Sequence, residues 1–151
     1  MKVRHRARVT ALQALFEIDC VNHDSEMVLQ RRLEEKPLPP SGSEFARSLV
    51  SGVLEHKIHL DELIQENAPE WPVEQLAIID RNILRLAIFE IAIDQGTPLK
   101  VAINEAVELA KLFGSDSSPR FINGVLGALV SQGHGSFKGP SPREEKLAEK
   151  S

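Results

Sequence analysis

A chain of 151 residues with 42% hydrophobic and 26% charged side chains has the composition of one globular domain. That mix excludes wholesale disorder, collagen-like repetition and a disulfide scaffold. No apolar run approaches the ~18 residues that a membrane span requires. The basic N-terminus runs into a stretch cut by Arg8, Thr10, Gln13, Glu17 and Asp19, which fits no secretory signal. The single cysteine, Cys20, makes neither an internal disulfide nor a zinc or iron–sulfur site. A soluble, cytoplasmic, metal-free domain is the expectation.

The net charge of −4 hides an asymmetry. Residues 1–8 carry Lys2, Arg4, Arg6 and Arg8 and no acid, whereas the remaining 143 residues carry 14 basic and 22 acidic side chains. A basic arm on an acidic body has two readings. It is a solubility feature, or it is two surfaces, one for phosphates and one for a basic protein.

The periodicity predicts helices throughout. From Val3 to Cys20, Ala11, Leu12, Leu15, Phe16 and Ile18 fall at helical spacing, with Arg6, Thr10, Gln13 and Glu17 on a polar stripe. A second helix starts after Asp24 or Ser25 and ends before Pro37. Residues 37–42, with three prolines in four positions, read as a loop. Ser43 is then the expected N-cap of a long helix that carries Phe45 to Ile64 and stops before Pro69. Glu70-Trp71-Pro72 is a turn, Val73 to Ala77 a short connection, and Ile78 to Ile93, apolar on nearly all sides, the central helix. Gly96 is expected to end it, with Thr97 and Pro98 opening the next helix and Gly114 closing that one. Ser118 and Pro119 open a last helix running to about Gln132. Residues 134–151, rich in Gly, Ser, Pro, Lys and Glu, read as a disordered tail on a 1–133 domain. With no alternating strand pattern and no internal repeat, the fold class is all-α, a single bundle of six or seven helices.

Reactive constellations do not emerge. There is no Gly-x-Gly-x-x-Gly, no Walker loop and no His-Glu-x-x-His. His56 and His59 stand at i, i+3 in a charged stretch, which reads as a solvated helix face rather than a metal site. Cys20 has no local cation to activate it, and His134 lies in the tail. A binding module without catalysis is the default. Arg4 and Arg8 at i, i+4 share a helical face, and arginine forks suit phosphates and stacked bases. Phe16 is either a stacking surface or a core side chain. Asn123, beside Arg120 in the first turn of the last helix, is either a base contact or an ordinary surface residue. Gly124 and Gly127, costly inside a helix, suggest the close approach of another helix or of a ligand.

The opening Arg4-His5-Arg6-Ala7-Arg8 with Ala11 to Phe16, the centre Asp80 to Glu90, the stretch Val101 to Lys111 and the segment Phe121-Ile122-Asn123-Gly124-Val125-Leu126 resemble, in order and spacing, the NusB family of bacterial transcription antitermination factors. The resemblance covers the chain to about Val130. It implies a helical, non-catalytic factor, without cofactors or metal, that binds the single-stranded boxA element of ribosomal RNA leaders. It also implies the ribosomal protein NusE as partner and a place in the antitermination complex on RNA polymerase, and it allows a homodimer. By position, Arg4, Arg6 and Arg8 would contact RNA, with Gln13 and Phe16 lining that face and Phe121 and Asn123 forming a second patch. Asp80, with Glu74 as a second candidate, would meet NusE. The family often has Tyr at the place of Phe16 and an acid at the place of Gly127. Two rival readings are a detached recognition domain like that of ribosomal RNA methyltransferases, and a purely protein–protein module.

Overall fold

The computed structural model describes residues 2–133, and all of its regular elements are helical. The tail expected from residue 134 onward lies outside the described residues. The first helix, α1 (Lys2–Val21), buries Ala7, Ala11, Leu12, Ala14 and Leu15 along one stripe. It ends where Asn22 takes a left-handed φ of 56° and its N–H reaches back to the Ile18 carbonyl. α2 (Ser25–Glu35) opens after Asp24, the first of the two expected starts, and the Asp24 carboxylate caps it by accepting from the Met27 N–H at 3.1 Å.

Two expected boundaries shift in the next segment. α3 (Pro40–Glu55) begins three residues before Ser43. Proline at the first helical position has a φ suited to the helix and sacrifices an N–H that would have had no partner there. Ser43 is therefore interior, and its hydroxyl donates to the Leu38 carbonyl at 3.4 Å. The expected long helix is also broken at His56 (φ −106°, ψ 16°), so α4 (Lys57–Asn67) is a separate element. The break has a packing cause. α3 packs on α1, whereas α4 turns away so that Leu60, Leu63 and Ile64 are buried on the side of α5 and α7.

After a 3-10 turn (Val73–Gln75), α5 (Ile78–Ile88) continues into a π-helical turn, Phe89–Asp94. This is the central helix: Asp80 and every residue from 82 to 91 are buried. It touches α1, α4, α6 and α7. Gly96 does not end it. Gln95 occupies the left-handed position (φ 57°), and its N–H bonds the Glu90 carbonyl at 2.9 Å. Nor does Thr97 cap α6 (Leu99–Phe113), which starts after Pro98 and ends at Gly114 as expected. In α7 (Ser118–Ser131) the cap position is Ser117, and Ser118 is already helical. Both displaced hydroxyls serve tertiary contacts instead, described below.

α1, α2 and α3 form one packed group, α4 to α7 a second, and α1 against α5 joins them. The joint also relies on Gly52: a Cβ there would lie 2.1 Å from the Phe89 ring, so only glycine lets α3 cross this close. Among the described residues no helix is long and apolar enough to cross a membrane.

Candidate nucleic-acid interface

The basic opening is not a free arm. It is the first two turns of α1, and other elements hold Arg4, His5, Arg6 and Arg8. Arg4 is exposed, with its guanidinium carbon 4.1 Å from the centroid of the Phe45 ring on α3. Arg6 is exposed and donates from Nη2 to the Pro37 carbonyl at 3.1 Å. His5 Nδ1 lies 3.0 Å from Glu105 Oε1 on α6.

Arg8 departs from expectation. It is only 4% exposed, and it forks onto Glu90 with Nε–Oε2 at 2.9 Å and Nη2–Oε1 at 2.8 Å. Thr97 completes the arrangement by donating to Glu90 Oε1 at 2.7 Å, and Glu105 Oε1 is 3.7 Å from Arg8 Nη1. Burial alone would lower the Arg8 pKa. The hydrogen bonds and charge of Glu90, helped by Glu105, outweigh it and hold the guanidinium above its ordinary value. The reason for burial is the stripe. Arg8 stands three, four and seven residues before Ala11, Leu12 and Leu15, so its side chain enters the core. The shared face of Arg4 and Arg8 therefore points at α3 and α5. Arg8 serves the scaffold, not an open ligand surface.

Gln13 and Phe16 meet in a groove of about 550 Å³, closed on its other sides by Arg32, Ile78, Ile79 and Phe113. Phe16 is 38% exposed, so it is not a core side chain. The second expected patch lies on α7. Phe121 is half-buried and packs on the core, while Asn123 is exposed together with Arg120, Gly124 and Gly127. A Cβ at Gly124 or Gly127 would meet nothing within 4 Å, so no helix among the described residues accounts for either glycine.

Asp80 also departs from expectation. It is not on an open acidic face but buried, accepting from the Ser118 hydroxyl at 2.7 Å. The same hydroxyl accepts from the Ser115 N–H at 2.9 Å, so Asp80 pins the start of α7 to the first turn of α5. Glu74 is exposed on the 3-10 turn, and its backbone carbonyl accepts from Arg81 Nη1 at 3.0 Å.

Sequence reasoning missed the network around Asp19. Its carboxylate accepts from Arg81 (2.8 and 3.0 Å), Asn82 (2.9 Å) and Arg85 (3.1 Å), while Arg85 also forks onto Asp61 (2.7 and 3.0 Å). Burial would push the Asp19 carboxyl up, but the hydrogen bonds from Arg81 and Asn82 and the charges of Arg85 and Arg81 bring it down to about 2. The available signal was Arg81 and Arg85 at i, i+4 inside an apolar helix. His56 bonds the Gly52 carbonyl through Nδ1 and His59 faces Glu62. Among the described residues no group of three or more His, Cys, Asp or Glu is placed to hold a metal.

Comparisons with known proteins bear on the family and the fold. The chain is 55% identical over 139 residues to the transcription antitermination protein NusB of Roseiflexus castenholzii, covering 91% of this chain and 98% of that protein. It is 53% identical over 131 residues to the NusB of Chloroflexus aggregans, covering 85% and 87%. Among solved structures, T. maritima NusB superposes with a TM-score of 0.80 at 32% identity, over 95% of this chain and 96% of that one. A NusB–NusE complex with dsRNA contains a chain of the same fold, with TM-score 0.81 and 26% identity over 87% and 98%. The model of the NusB family matches residues 5–131, and the chain belongs to that family.

Proposed function

We propose that this chain is a cytoplasmic, non-catalytic antitermination factor that binds the boxA element of ribosomal RNA leaders together with NusE and acts within the complex on RNA polymerase. The observation that carries the reading is the state of the first two turns of α1. Arg4 makes no hydrogen bond or ion pair among the described residues, and Arg6 commits one donor to Pro37. Two guanidinium groups are thus fixed in place with most of their donors open, which is what a phosphate backbone requires. Support comes from the relatives, which are NusB antitermination proteins, and from the structural neighbour in complex with NusE and dsRNA.

In this reading Arg4 and Arg6 contact RNA and Arg8 positions the helix that carries them. Gln13 and Phe16 supply an exposed groove whose aromatic ring suits an unpaired base. Asn123 and Phe121 form a separate RNA-facing patch on α7, where the bare backbone at Gly124 and Gly127 admits close approach. Glu74 is the direct contact for NusE, and Asp80 acts from beneath by fixing α7 to α5. Two phosphate contacts give a weak site, with a salt slope of about −1.4 on single-stranded RNA. A basic partner on the acidic body adds cations of its own.

The test is a titration of labelled boxA-like RNA with and without purified NusE. Binding that NusE strengthens at least severalfold is expected. No RNA binding under either condition at low salt would refute the reading, and so would methyl transfer to ribosomal RNA from an added methyl donor.

A further inference from the structure

The Phe45 ring lies under two guanidinium groups, Arg4 at 4.1 Å and Arg8 at 5.2 Å from its centroid. Phe45 is half-buried and packs on the core, so the scaffold fixes the position of its ring. The starts of α1 and α3 are also in tight contact. A Cβ at Gly42 would come within 2.8 Å of Val3 Cγ1, so the distance between the helix bearing Phe45 and the helix bearing Arg4 is set. The two arginines differ in what remains open. Arg8 spends its donors on Glu90, whereas Arg4 has only the ring among the described residues. Stacking on an aromatic uses the flat face of a guanidinium, and phosphate recognition uses its N–H edge, so the two do not compete. A guanidinium already stacked also has less rotamer freedom to lose on binding.

We infer that Phe45 is a positioning residue for RNA binding: its ring holds the Arg4 guanidinium by the face and so presents the N–H edge to the RNA backbone. This rests on the reading of Arg4 as an RNA contact. An exposed cation–π contact of this kind corresponds to about a two- to fivefold change in affinity.

The experiment is a double-mutant cycle, read by fluorescence anisotropy on a labelled boxA-like single-stranded RNA at low salt, with the thermal melt of each variant recorded. Phe45→Leu is expected to weaken binding two- to fivefold, Phe45→Tyr to retain it, and Phe45→Leu to have no further effect once Arg4→Ala is present. Replacing Phe45 by trifluorophenylalanine keeps the shape and depletes the π face. It is expected to lose a similar factor, and it keeps the test decisive if Phe45→Leu fails to fold. If Arg4→Ala weakens binding while the leucine and trifluoro variants bind as the parent does, the positioning role is overturned and the RNA reading stands. If Phe45→Leu costs the same factor with and without Arg4, the ring acts independently, which also overturns it. If Arg4→Ala and Arg6→Ala both leave binding unchanged, the RNA reading itself fails, and the role of Phe45 with it.

Discussion

Arg6 and Arg8 are two residues apart and chemically identical, yet they belong to different parts of the molecule. Arg8 is half of a buried ion pair, so removing one member strands the other in the core. Glu90→Gln or Arg8→Ala is expected to lose about 3–5 kcal/mol of stability in urea unfolding. Arg6→Ala is expected to shift stability by less than about 0.5 kcal/mol and to act on RNA binding instead. A finding that Glu90→Gln unfolds at the same urea concentration as the parent would contradict this assignment. The distinction was half legible in the sequence. Arg8 falls on the apolar stripe of α1, and Glu90 interrupts an otherwise apolar run, each a sign of a buried partner. That they are partners of one another, 82 residues apart, is set by the α1–α5 crossing, which no local pattern encodes.

At the scale of elements, helix existence was legible and helix ends were less so. Periodicity gave the helices, a start for α2 after Asp24 or Ser25 and the stop at Gly114. It misplaced the starts of α3, α6 and α7 because serine and threonine hydroxyls serve caps and tertiary contacts equally well. Thr97 turns to Glu90, seven residues back on the π-helical turn, and Ser118 to Asp80, 38 residues back on α5. The break at His56 likewise follows from what α3 and α4 pack against. Glycines divide the same way. Gly52→Ala drives a methyl into the Phe89 ring and is expected to cost about 1–3 kcal/mol. Gly124→Ala and Gly127→Ala have open space and are each expected to raise stability by about 0.5–1 kcal/mol. Thermal melts of the three single variants check this, and a stabilised Gly52→Ala or destabilised Gly124→Ala would be inconsistent with the described packing.

For the whole molecule, the network centred on Asp19 ties the end of α1 to α5 and, through Arg85 and Asp61, to α4. The Asp19 carboxyl ordinarily titrates at 3.8 and is held at about 2 in the folded chain. Its depressed value means that the stabilisation is complete above about pH 4 and is lost as pH falls toward 2, an amount of roughly 2 kcal/mol. Asp19→Asn is therefore expected to flatten the acid limb of stability against pH between those values. An unchanged limb would mean that the network contributes nothing there. The same long-range geometry explains why the site was only partly legible. The arginine-rich opening and the Phe121–Leu126 segment stand out in the sequence, while Phe45, the burial of Asp80 and the groove beside Phe16 arise only when separate helices meet.

The central claim is that an RNA strand is gripped by the open guanidinium groups of Arg4 and Arg6 on a rigid helical scaffold. Its most direct test is anisotropy of labelled boxA-like RNA against the parent and the Arg4→Ala, Arg6→Ala double variant, each at several salt concentrations. The account predicts weaker binding by the variant, a log–log salt slope shallower by about 1.4, and an unchanged helical circular dichroism spectrum. Equal affinity and equal slope for the two proteins would contradict it.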